Sequence, residues 1–179
     1  MRWERLFADL EAQLEGELRR DLDAEVADRT RRELAQVDLG ARLSAQVGSS
    51  LTLTIRTGAV LSGDLRDIGA DWLLLESGRG EALVPLGAVI GFSELGTRAR
   101  GDRTARRFGF GYAARLLARD RAAVQVTDLS GARRTGTIDR VGADFFDLAE
   151  HASGEVRRTV NVLGRRTLPF SAVVMIQSS

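Results

Sequence analysis

Five arginines, Arg98, Arg100, Arg103, Arg106 and Arg107, run directly into Phe108-Gly109-Phe110-Gly111-Tyr112. A guanidinium fork matches phosphate oxygens and stacks on bases, and aromatic faces offer further platforms for unpaired bases. Residues 97–121 hold eight Arg and two acids, whereas residues 1–38 hold seven Arg and eleven acids, so a chain of net charge +1 is bipolar. This pattern predicts a single-stranded nucleic-acid contact at Arg98, Arg100, Arg103, Arg106, Arg107, Phe108 and Phe110. The same residues also fit a solvated connector, with Phe108 and Tyr112 plugging the fold that follows and the acidic N-terminal segment neutralising the arginines.

Other chemistry is thinly supplied. The 179 residues include no Cys and one His, His151, which excludes thiolate sites, disulfides and the usual His-based triads and metal sites. No pair of carboxylates sits on a recognisable acid–base framework, and Gly109-Phe110-Gly111 lacks the spacing of a dinucleotide loop. A non-enzymatic protein with no cofactor and no metal is expected. His151, beside Ala152-Ser153-Gly154, reads as a surface residue of a turn. Arg157-Arg158 and Arg165-Arg166 flank an expected strand at Thr159–Val162 and would widen a basic surface. Lysine is absent and arginine supplies every basic residue, as a GC-rich coding sequence would give. No apolar run approaches the roughly 18–20 residues of a membrane span, and Met1-Arg2-Trp3-Glu4-Arg5 leads into an acidic stretch. A cytoplasmic location follows as an expectation.

The elements that must position these residues fall into two classes. From Trp3 to about Leu34 there is no Pro and one Gly, and Leu, Ala, Glu and Arg predominate. Leu6, Leu10, Leu14, Leu18, Leu22 and Val26 recur at steps of four, and Glu15–Arg19 and Glu25–Arg29 stand at i, i+4. A helix over this stretch would extend about 45 Å. It would pack either on its own chain or, in a coiled-coil manner, on a second copy.

Beyond it the chain repeats itself. A shift of 73 residues places Ala41-Arg42-Leu43 on Ala114-Arg115-Leu116, Gly58-Ala59 on Gly131-Ala132, and Gly63 on Gly136. It also places Gly69-Ala70-Asp71 on Gly142-Ala143-Asp144. After an eleven-residue insertion, Pro85, Ala88 and Val89 fall on Pro169, Ala172 and Val173. Each copy reads as a short helix (39–47; 112–118) followed by five strands. These begin with the alternating Leu51–Ile55 or Val124–Val126 and continue through Val60–Ile68 or Arg133–Val141. Gly63 and Gly136 inside the second strand signal a sharp bend or a close backbone approach.

Gly63-Asp64-Leu65, Ile68-Gly69-Ala70-Asp71 and Val84-Pro85-Leu86-Gly87-Ala88-Val89, in this order after a helix and a strand, resemble the Sm-like (LSm) family. The second copy carries Gly136-Thr137-Ile138, Val141-Gly142-Ala143-Asp144 and Leu168-Pro169-Phe170-Ser171-Ala172-Val173. The resemblance covers about residues 39–93 and 112–177. It implies a mainly β fold of two tandem small Sm-like or SH3-like β-barrels, each with a short leading helix, preceded by a long N-terminal α-helix. The expected division is an N-terminal amphipathic helix (1–38), barrel 1 (39–96), an arginine-rich linker (97–111) and barrel 2 (112–179). The resemblance further implies association with single-stranded RNA and self-assembly through edge strands. Asp71 and Asp144 stand where the family carries a loop Asp, while Leu75 and Leu148 occupy the position that is polar in its RNA-binding members. Both Asp residues equally suit a turn in which they bond backbone amides. The alternative function is an assembly scaffold with no nucleic acid, its contacts made by the N-terminal helix or the edge strands.

Overall fold

The computed structural model describes residues 16, 19, 22–78, 80–100, 107–152 and 161–178. The chain forms two compact units, residues 1–38 and 39–179. In the first unit a helix, α1, occupies residues 22–35. Arg29 pairs with Glu33 one turn on, and Arg31 with Asp28, while Leu22, Val26 and Leu34 are exposed. The single long helix expected from Trp3 to about Leu34 is therefore corrected to a first helix at residues 22–35, with residues 1–15, 17, 18, 20 and 21 outside the described residues.

The second unit overturns the expectation of two separate barrels. Its elements are α2 (Leu39–Gln46), β1 (Ser50–Ile55), β2 (Val60–Ile68), β3 (Trp72–Ser77), β4 (Gly80–Pro85) and β5 (Val89–Ser93), followed by α3 (Phe110–Asp120). Then come β6 (Ala123–Asp128), β7 (Arg133–Val141), β8 (Phe145–Glu150), β9 (Gly164–Pro169) and β10 (Val173–Ser178). All ten strands belong to one antiparallel sheet, in the order β5-β1-β2-β3-β4-β10-β6-β7-β8-β9. The join is β4 against β10, where Leu83 faces Ile176 and Ala82 faces Gln177.

Each half repeats the other down to its irregularities. Gly63 opposes Leu51 and Gly136 opposes Val124. A Cβ on either glycine would drive into a carbonyl oxygen of the next strand, Glu76 or Ala149, so only glycine lets the strands approach. Register slips between Leu65 and Asp67, and again between Ile138 and Arg140, giving β2 and β7 the same bend. The ladder partner of β8 is β9, whose Pro169 faces Phe145 as Pro85 faces Trp72, and Asn161 and Val162 of the strand expected at Thr159–Val162 stand ahead of β9 and outside it. Thr159 and Val160 lie outside the described residues.

The apolar cores cross the join. Leu43, Leu53, Leu65, Leu73 and Val84 of the first half pack with Val174 and Met175 from β10. Conversely, Trp72 and Leu83 pack with Phe110, Val126, Ile138 and Phe146 of the second half. Two independently closed bodies would keep these side chains apart; here each half completes the other.

Candidate functional site

The arginine-rich connector leads from β5 to α3, and its far end is bolted to the first half. The Phe108 carbonyl accepts bonds from the Trp72 indole N–H (3.0 Å) and the Ala70 amide (2.9 Å). Asp71 Oδ1 accepts the Phe110 amide at 2.6 Å, one of the otherwise unpartnered donors at the start of α3. At its near end the Arg100 amide donates to Ala41 in α2, and Arg42 reaches the carbonyls of Leu95 and Gly96. A segment that reads as a loose linker is thus held at both described ends.

This anchoring sorts the expected nucleic-acid residues. Phe110 is 2% exposed, meets Phe170 edge-on and belongs to the core of the second half. It is removed from any surface. Phe108 is half-exposed and stacks on the exposed Tyr112, ring centroids 4.2 Å apart. Arg98, Arg100 and Arg107 are exposed and form no ion pair among the described residues. Arg103 and Arg106 lie outside the described residues, as do Arg157 and Arg158. Asp71 serves as an anchor for α3, whereas the side chain of its repeat mate Asp144 has no hydrogen-bond partner among the described residues; only its carbonyl is used, by the Phe170 amide.

His151 is corrected from surface to core. It is 3% exposed, with Nδ1 donating to the Ala152 carbonyl (3.0 Å) and Nε2 hydrogen-bonded to the Thr137 hydroxyl (2.9 Å). A carbonyl can only accept, which puts a proton on Nδ1, and with both ring nitrogens engaged inside the fold the histidine has a structural role. Arg166 is spent on Glu150 (2.7 Å), which also faces Arg134.

The sheet ends supply a feature that residue types do not reveal. Among the described residues, no strand pairs with the outer side of β5 or β9. The apolar Ile90 on β5 is 65% exposed, and Leu163, just ahead of β9, is 82% exposed. Under the repeat, β9 corresponds to β4 and β5 to β10. The two free edges are therefore the same two kinds of edge that are already joined inside the chain.

No family model matches this chain, and no curated protein matches it. Among the described residues, no cluster of three His, Cys, Asp or Glu can hold a metal ion, and no helix is long and apolar enough to cross a membrane.

Proposed function

We propose that this protein is a non-enzymatic assembly module whose copies join edge to edge, β9 of one copy against β5 of the next. The observation that supports it is the β4–β10 join, an internal instance of the same strand pairing, which leaves its two counterparts unpaired at the ends of the sheet. Such a contact is head-to-tail and propagates until it closes into a ring or runs on as a filament. Unpaired backbone N–H and C=O groups on an edge strand are a template for another strand, and exposed Ile90 and Leu163 add apolar area there. Asp144 fits the same reading, since its mate Asp71 holds the start of α3 in the other half, while the Asp144 side chain has no hydrogen-bond partner among the described residues. Light scattering coupled to gel filtration tests it. The wild-type chain should elute at multiples of 19.5 kDa, and Ile90→Lys should return it to 19.5 kDa without loss of secondary structure. A wild-type chain that stays at 19.5 kDa at every concentration overturns it.

A second reading, association with single-stranded RNA as the Sm-like resemblance implies, is favoured by the exposed Phe108–Tyr112 stack in a segment carrying Arg98, Arg100 and Arg107, which form no ion pair among the described residues. Fluorescence anisotropy with labelled RNA and DNA strands across a salt series tests it. Replacing the three arginines by Ala should flatten the log–log salt slope by about 2. Absence of binding at low salt removes the reading and leaves assembly standing.

A further inference from the structure

A cleft of about 550 Å³ opens where the β1–β2 hairpin of the first half faces β6, β7 and β10 of the second. Its volume falls in the range of small-molecule sites, about 300–1,000 Å³. Register explains its lining. Arg133, Thr127 and Met175 are cross-strand partners in one row over β7, β6 and β10, and Gln125 and Gln177 face each other in the next row on the same side. Opposite them stand Ile55 and Val60 from the hairpin.

The polar groups here are unspent. The Arg133 guanidinium forms no ion pair among the described residues, although its neighbour Arg134 is held by Asp128 and Glu150. Neither the Gln125 nor the Gln177 amide is engaged by a described side chain or backbone group. No Asp or Glu lines the cleft.

We infer that this cleft binds a small organic monoanion, one carboxylate on an apolar body. The carboxylate takes the Arg133 fork together with a glutamine amide, and the body lies against Ile55, Val60 and Met175. A neutral ligand would leave Arg133 unmatched, and a dianionic phosphate ester would bring a second charge with no cation to meet it. The inference is independent of edge-to-edge assembly, because every residue named lies within one chain and away from both free edges.

Equilibrium dialysis of radiolabelled benzoate against the full chain tests it, with benzamide and inorganic phosphate as competitors. Saturable binding of one benzoate per chain is expected, undisturbed by benzamide or phosphate. Arg133→Ala should weaken it about tenfold, the worth of one charge-assisted hydrogen bond. Absence of saturable binding, equal competition by benzamide, stronger competition by phosphate, or indifference to Arg133→Ala would each overturn the inference.

Discussion

At the scale of single residues, the repeat separates side chains with equal sequence signals and unequal work. Asp71 and Asp144 occupy the same turn of each half, but only Asp71 holds an amide at the start of α3. Asp71→Ala should lower unfolding stability by about 1 kcal/mol, the usual worth of a helix-start acceptor, and Asp144→Ala should change it by less than about 0.5 kcal/mol. Urea unfolding of the two variants checks the contrast. Gly63 and Gly136, by comparison, are constrained alike, because a Cβ at either meets backbone rather than a movable side chain. Ala at either position should cost about 1–3 kcal/mol in the same measurement. The two glycines were legible as close-approach sites from their place inside a strand. Phe110 was not legible as core, since burial depends on which surface α3 meets, and its neighbour Phe108, of the same type, stays half-exposed.

At the scale of elements, the turn between β6 and β7 shows local chemistry that a backbone pattern only outlines. Asp128 Oδ1 accepts the Ser130 hydroxyl at 2.5 Å and the amides of Ser130 and Ala132, with Arg134 3.5 Å from its other oxygen. The Ser130 hydroxyl foremost, then these amides and Arg134, hold the Asp128 carboxyl below its ordinary value of 3.8 against the opposing effect of burial. A carboxyl depressed in the folded state contributes stability that is present above its unfolded value and is lost as pH falls through the folded one. Ser130→Ala should raise the Asp128 pKa toward 3.8, read by NMR titration of its carboxyl carbon, and should flatten the stability-versus-pH curve on the acid side. The ends of β2 and β7 agree with the alternation and turn residues of the sequence, Val60–Ile68 and Arg133–Val141. The strand β9 was missed although Pro85 and Pro169 align, because Arg165, Arg166 and Thr167 at this free edge are exposed and carry no apolar alternation.

At the scale of the whole molecule, the crossing of the two cores predicts how residues 39–179 unfold. Met175 sits on a strand of the second half yet packs in the core of the first, and Trp72 does the reverse. Met175→Ala should cost about 2–5 kcal/mol and destabilise both halves together. Calorimetry should show one transition for this unit, with no separate melting of residues 39–96. Two transitions, with the second half unaffected by the change at Met175, would contradict a shared core. The edge-to-edge proposal belongs to this scale too, since the strand pairing it invokes is the one that joins the halves.

The sequence by itself determined the duplication, the mainly β character and the order of elements within each copy. Those rest on local physics: side-chain alternation, glycine at close approaches, and Pro or Asp at turns, all legible within a dozen residues. Only the tertiary structure decided that the two copies share one sheet, that Asp71 and Trp72 grip the start of α3, and that Arg133, Gln125 and Gln177 line a cleft beside the β1–β2 hairpin. The β4–β10 join is made by backbone groups that every residue carries, between strands about 90 positions apart, as Leu83 and Ile176 show. No side-chain pattern specifies such a pairing. It is selected by the packing it permits, with Met175 closing one core and Leu83 the other.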